Sequence, residues 1–314
     1  MKRSYSTVAQ LLSVGAAAGF LLSRIPTHTY LRAGQVAIIT GGSRGLGLAL
    51  AHRFGKAGLR LVLVARSEEE LKDALTDLIS AGSVTGPEDV LLYSCDLRDP
   101  VNATSLVAAT LRRFGRLDVL INNAGIIVVG PAENQTIEDY KSAMEVDFYA
   151  ALHCTYAALP EMLRQSSGAV VNIASIGGKF AVPHLLPYVA AKFALTGFSE
   201  GLHSELRSKG IRVTTVCPGL MRTGGEVHAK FRGQVEKEKA WFQLSARTPL
   251  LAASAAHAAE RILSAVDAGR AEITITPQAW LAARIAGLAP ESTQLVSALV
   301  HEYVLPSPAL TNRQ

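Results

Sequence analysis

The chain has 314 residues, 49% of them hydrophobic and 18% charged, with a formal net charge of +5 and three cysteines. This size and composition admit one α/β domain of about 250 residues with end extensions and exclude a mainly disordered chain. The odd, widely spaced Cys95, Cys154 and Cys217 contain no CxxC pair, which argues against a disulfide framework or metal site and favours small buried apolar side chains.

Four of the five net positive charges fall in residues 1–35, where Lys2, Arg3, Arg24 and Arg32 meet no acidic residue. The rest of the chain is nearly neutral, so no nucleic-acid partner is expected. From Ser4 to Ser23 there is no charge, over about the length that a membrane-crossing helix needs. Cations flank both ends, as they do beside headgroups. Gln10 interrupts the segment, and its strongest part is Val8 to Leu22. Gly15-Ala-Ala-Ala-Gly19 has the spacing that lets two membrane helices pack closely. Membrane association through residues 4–23 is the reading; a cleaved signal peptide and a soluble helix are its alternatives. Residues 1–34 thus form an apolar segment with its linker.

A strand is expected at Val36–Ile39 and a helix from Leu46 to Ala57, then a strand at Leu59–Val64. Ser67-Glu-Glu-Glu70 has the capping-box pattern and opens a helix to about Ser80. Strand Val90–Tyr93, helix Val101–Phe114 and strand Val119–Ile121 follow. One helix from about Ile137 through Arg164, strand Val170–Ile173, helix Ala190–Ser208 and strands Val213–Val216 and Ile273–Ile275 complete the series, with a further helix starting near Leu251. Short apolar strands alternate with helices throughout, which predicts a doubly wound parallel sheet of about seven strands, of Rossmann type. In the tail, Leu281, Ile285 and Leu288 fall at helical spacing. Leu295, Val296, Leu299, Val300, Tyr303 and Val304 then form one apolar stripe. These helices read as a cap on the domain body, with a dimer contact or a cover over an apolar substrate as alternatives.

Thr40-Gly-Gly-Ser-Arg-Gly-Leu-Gly47 sits between the first strand and the first helix. Glycines there allow a tight turn and close backbone approach to a diphosphate, which the helix N-terminus then faces. After the second strand comes Arg66, where NAD-binding sites of this type place an acidic residue. Arg66 and Arg44 are two planar guanidiniums suited to a 2′-phosphate. NADP(H) is therefore expected, in preference to NAD(H).

Tyr188 and Lys192 are spaced one helical turn apart on one face. Ser175 closes the fifth strand, at the carboxyl end where such sheets bind ligands. A phenol is a poor acid–base group at neutral pH. A neighbouring lysine cation and an oxidised nicotinamide lower its pKa, and a serine hydroxyl can hold the substrate oxygen.

With these groups in hand, the chain resembles the short-chain dehydrogenase/reductase family. The carrying residues are the glycine loop 40–47, Cys95-Asp96-Leu97, Asn122-Asn-Ala-Gly125, Ser175, Tyr188 with Lys192, and Cys217-Pro-Gly219 followed by Thr223. The resemblance covers about residues 35–277, read as the catalytic domain, with 278–314 as a helical extension. It implies a cofactor site of Thr40, Gly41, Ser43, Arg44, Gly45, Leu46, Gly47 and Arg66. Asp96 and Leu97 would border the adenine, and Asn123, Ala124 and Gly125 would line the cofactor. Lys192 would hold the nicotinamide ribose beside Tyr188, the proton donor. Pro218, Gly219 and Thr223 would touch the nicotinamide amide, and residues 220–250 would be a mobile lid. The family is often homo-oligomeric.

One position departs from the pattern. Where the family usually has a fourth catalytic residue, an asparagine, this chain has Asp147. The swap is nearly isosteric but exchanges an amide donor for a carboxyl group. The sequons at Asn102 and Asn134 matter only in a glycosylating compartment. The expected protein is an NADPH-dependent oxidoreductase that interconverts an apolar carbonyl compound and its alcohol. It would be cytoplasmic or membrane-associated, facing an NADPH pool. The alternative is a catalytically weak NADP-binding scaffold protein of the same fold.

Overall fold

The computed structural model describes residues 30–247 and 252–309. The anchor segment 4–23, and Leu251 as a helix start, lie outside the described residues. The main sheet holds β1 (Val36–Thr40), β2 (Arg60–Ala65), β3 (Val90–Ser94), β4 (Val119–Asn122), β5 (Gly168–Ile173), β6 (Ile211–Pro218) and β7 (Glu272–Ile275). All are parallel, in the order β7-β6-β5-β4-β1-β2-β3. The winding direction therefore switches at β1, between β2 and β4, and a crevice opens there at the carboxyl ends of the strands.

Every residue of β1, β4 and β5 is buried, because helices cover both faces. On one face lie α1 (Gly45–Lys56), α2 (Glu68–Ser80) and, later in the chain, Ala255–Asp267, with Phe54, Leu71 and Ile262 among the core. On the other lie α3 (Pro100–Phe114), α5 (Ala150–Gln165) and α6 (Leu186–Leu206), with Leu106, Met162 and Leu206. The region expected as one helix is α4 (Ile137–Met144), a π-helical turn over Glu145–Tyr149, and then α5. Such a turn adds a residue to the helical repeat and is found often at functional sites; here it carries Asp147.

After β6, the pair Met221–Arg222 bonds to Ala253–Ser254, and Lys230–Phe231 to Val128–Val129. The helix α7 (Val235–Arg247) follows, then α8 (Ala255–Asp267), whose start is set by Ser254 accepting from the His257 N–H. Two tail helices, α9 (Pro277–Leu288) and α10 (Pro290–Tyr303), end the described chain. Their apolar stripe does not cap the body. Leu295, Val296, Leu299, Val300, Tyr303 and Val304 are all exposed, and the tail is held instead by polar contacts. Asn134 donates to Ala309 O at 3.1 Å and accepts from Ala309 N at 2.9 Å, so this sequon asparagine is engaged with the tail.

Residues 30–34, expected as linker, are docked on the body. The backbone N–H groups of Tyr30 and Leu31 both donate to Asp267 Oδ1 at 2.8 Å. The Arg212 guanidinium lies 4.6 Å from the Tyr30 ring centroid.

Candidate active site

The loop from β1 into α1 turns at Gly41 (φ +63°) and Gly45 (φ +57°), a backbone region that side chains disfavour. The first residue before α1, Arg44, offers no side-chain cap, so the first N–H groups of the helix face the cleft unpartnered by a cap. A Cβ at Gly47 would fall 2.0 Å from Gly41 O; only glycine lets the helix pack on the loop there. Thr40 Oγ1 accepts from Asn123 N and Ala124 N at 2.9 and 3.0 Å. Asn123 Nδ2 donates back to Thr40 O and Gly41 O. Thr40 and Gly47 thus shape the loop from behind.

Gly41, Ser43, Arg44, Gly45 and Leu46 line a cleft of about 540 Å³ together with Arg66, Asp96, Leu97, Asn123, Ala124, Gly125 and Thr223. The turn, the glycine cradle and the uncapped helix end fit a dinucleotide. Pro218 and Gly219 stand at the carboxyl end of β6: Gly219 N donates to Ile275 O at 3.1 Å, and a Cβ there would crowd Thr276 Oγ1.

Glu70, which the sequence presents only as part of a helix cap, also lines this cleft. Ser67 accepts from Glu70 N, so half of the expected capping box forms. The Glu70 carboxylate turns instead to Ser43 Oγ at 2.9 Å and Arg44 Nη1 at 2.5 Å. The complete box is at Thr136 and Asp139. Asp96 is paired with Arg98, another cleft residue. Hydrogen bonds from Arg98, with a smaller contribution from Arg66, hold its carboxyl below the ordinary value.

Ser175 lies two residues beyond the end of β5, where it caps a short turn by accepting from Gly177 N at 3.0 Å. Tyr188 and Lys192 occupy the first two turns of α6. A Cβ at Gly177 would stand 3.5 Å from both Ser175 Oγ and the Tyr188 ring, so the two side chains face one point. Lys192 Nζ is 5.5 Å from the Tyr188 ring centroid and donates to Ile173 O at 3.0 Å. It also lies 3.6 Å from Asp147 Oδ1.

Asp147 is 1% exposed. Its Oδ1 accepts from Ile126 N at 2.9 Å, and its Oδ2 has no hydrogen-bond partner. Burial pushes its carboxyl up to about 6, against the pull of Lys192 and the Ile126 N–H. A Cβ at Gly125 would meet Asp147 Oδ1 at 2.6 Å and Lys192 Nζ at 3.5 Å. Gly125 therefore joins the cleft to this group. Burial raises the Tyr188 pKa, the neighbouring Ser175 hydroxyl opposes that, and Asp147 adds to it. Lys192 itself is engaged with Ile173 O and stands beside the Asp147 carboxyl group.

Beneath the site runs a buried polar chain. Asn122 Nδ2 donates to Asn172 Oδ1 at 2.8 Å, Asn172 Nδ2 to Ser199 Oγ at 3.0 Å, and Thr215 Oγ1 to Ser199 Oγ at 2.7 Å. It ties β4, β5 and β6 to α6, the helix that carries Tyr188 and Lys192.

Residues 35–231 match the family model described as short chain dehydrogenase. The chain is 36% identical over 196 residues to an Anopheles gambiae dehydrogenase/reductase SDR family protein 7-like, spanning 62% of each. It is 36% identical over 222 residues to a putative ketoacyl reductase of Streptomyces coelicolor, covering 69% of this chain and 83% of that one. Over 257 residues it is 32% identical to mouse dehydrogenase/reductase SDR family member 7B, covering 82% and 77%. Among solved structures, an actinorhodin polyketide ketoreductase variant with NADPH superposes with a TM-score of 0.67 at 32% identity, over 78% of this chain and 97% of that one. With its seven-stranded parallel sheet, its glycine cradle and these relatives, the chain belongs to the short-chain dehydrogenase family and is an NAD(P)-dependent oxidoreductase.

Proposed function

We propose that this protein is an NADPH-dependent reductase of an apolar ketone, aldehyde or 3-oxoacyl group, or runs the reverse alcohol oxidation. The observation that carries this reading is the grouping of Ser175, Tyr188 and Lys192, the last of which reaches Gly125 of the dinucleotide cleft. The nicotinamide, when bound, gives or takes the hydride. Tyr188 gives its phenol proton to the substrate oxygen as that oxygen gains negative charge. Ser175 Oγ holds the same oxygen, and Lys192 steadies the phenolate left behind and the nicotinamide ribose.

Gly41, Ser43, Gly45 and Leu46 would receive the diphosphate at the start of α1, and Asp96 and Leu97 would border the adenine. Arg44 and Arg66 on the cleft wall favour a 2′-phosphate, and the ketoreductase relative was solved with NADPH. The exposed tail stripe gives no support to an apolar substrate. That preference rests on Phe231, Trp241 and Phe242, which cluster in the segment after β6.

Two further readings accompany it. Residues 4–23 associate with a membrane, so that the enzyme faces an NADPH pool. No described helix is long and apolar enough to cross one, so this rests on the sequence alone. A second copy of the chain packs on the π-helical turn, α5 and α6, where Tyr149, Tyr156, Leu163 and Phe193 are exposed.

The test is NADPH consumption over 3-oxoacyl, sterol, sphingoid-type and small aromatic ketones. At least one should turn over, and Tyr188→Phe should abolish turnover while NADPH binding persists. No turnover across the panel, or an active Tyr188→Phe variant, overturns the reading.

A further inference from the structure

His184 lies four residues before Tyr188, on the segment that joins Ser175 to α6. It is 2% exposed and holds φ +65°, a left-handed conformation that is strained for a non-glycine residue. Such strain persists only where surrounding contacts over-determine it. Here they do. Its Nδ1 lies 2.9 and 3.0 Å from the two carboxylate oxygens of Glu238. Its Nε2 lies 3.1 Å from His301 Nδ1, and its carbonyl accepts from Gly130 N at 2.8 Å.

Glu238, on α7, is 0% exposed. A buried carboxylate needs donors, and it has two: His184 Nδ1 and Trp241 Nε1, the latter at 2.6 Å. Where the Glu238 carboxylate accepts, the proton of that first bond is carried by His184 Nδ1. His184 Nε2 is thereby left to pair with His301, which reaches in from α10. Three segments that are distant in sequence meet on this one imidazole. Nearby, Gln234 Nε2 donates to Ser307 O at 2.7 Å, a second link between the α7 region and the tail.

We propose that His184 is a positioning residue of the substrate site, clamped between Glu238 and His301, and that the tail helix α10 thereby holds the lid helix α7 against the segment leading into Tyr188. The tail, through His301, sets substrate affinity. This rests on the reading of the residues after β6 as the substrate lid. It gives α10 a task that its exposed apolar stripe does not.

The clamp is tested on the full chain with His301→Ala and His301→Asn. Asparagine keeps a hydrogen-bonding atom near the position of Nδ1, and alanine keeps none. Losing one such bond predicts a rise in KM of about tenfold for His301→Ala, with kcat and NADPH affinity within about twofold of the parent. His301→Asn should recover most of the KM. An unchanged KM, a fall in kcat and NADPH affinity together, or no recovery by asparagine overturns the proposal. A second readout needs no substrate: amide exchange over residues 235–247, α7, should quicken in His301→Ala and return towards the parent rate in His301→Asn. Unchanged exchange there overturns the clamp. Failure of the ketone panel with exchange behaving as expected would remove the reductase reading alone.

Discussion

Lys192 Nζ stands 3.6 Å from Asp147 Oδ1, both side chains being almost wholly buried. The cation expected to favour the Tyr188 phenolate thus has a carboxyl group as its neighbour, whose own pKa is pushed up by burial to about 6. Below that pH the group is neutral and the field of Lys192 reaches Tyr188 undiminished. Above it, the carboxylate offsets the lysine and raises the phenol further. Asp147→Asn should keep or increase turnover. In the alcohol-oxidising direction, where Tyr188 must be deprotonated, the activity limb should move to lower pH. A pH–rate profile checks both, and a collapse of activity would show that the carboxyl group is required.

The raised pKa of Asp147 also has a stability consequence. The folded-state value lies above the unfolded one, so the native state holds the extra proton between the two. Stability contributed by the protonated group is present below about pH 4 and is lost as pH rises through about 6. Across that window the parent should lose roughly 3 kcal/mol relative to Asp147→Asn. Thermal unfolding of both proteins at pH 4 and pH 8 measures it, and an equal pH response in the two would contradict it.

The alternating pattern of short apolar runs and helices makes the parallel sheet and the glycine loop legible, because burial on both faces leaves a near-continuous apolar signature. Asp147 is legible as a departure, but its orientation is not, since a π-helical turn has no residue signature and arises from packing. Glu70 reads as a helix cap because that pattern is local, whereas its partners Ser43 and Arg44 are brought to it by the pairing of β1 with β2. The clamp on His184 is invisible for the same reason. Its members are separated by 54 and 117 residues, and an isolated histidine or glutamate carries no sign of a distant partner.

Gly47→Ala pits helix propensity against space. Alanine gains about 1 kcal/mol over glycine inside a helix. The added Cβ, however, would stand 2.0 Å from Gly41 O and 2.7 Å from Asn123 Nδ2. Backbone must shift to admit it, and overpacking of this kind costs up to about 3 kcal/mol. The contact wins, so the variant should unfold at lower denaturant concentration and bind NADPH more weakly. A denaturation midpoint at or above that of the parent would show that the loop relaxes freely.

Membrane association is read by flotation with phosphatidylcholine–phosphatidylserine vesicles. The full chain should float and a chain beginning at Tyr30 should not. The cut belongs there rather than after residue 34, because Tyr30 and Leu31 both bond Asp267. Removing them would confound loss of the apolar segment with damage to the domain. Equal flotation of the two would assign the binding elsewhere.

Cofactor choice turns on Arg44, Arg66 and the carboxylate that engages one of them. Arg44→Ala with Arg66→Asp should abolish the preference for NADPH over NADH, since both guanidiniums line the cleft and the added carboxylate suits a free ribose hydroxyl. Glu70 acts the other way. It holds Arg44 Nη1 and Ser43 Oγ, and its negative charge beside the same guanidinium opposes a 2′-phosphate. An exposed pair such as this is worth up to about 1 kcal/mol, so releasing Arg44 in Glu70→Gln should tighten NADPH by a few-fold and leave NADH nearly unchanged. The gain should shrink as salt screens the cleft. Fluorescence titration with each cofactor at two ionic strengths separates the outcomes. Weaker NADPH binding in Glu70→Gln would mean that the carboxylate orients Arg44 for the phosphate rather than competing with it.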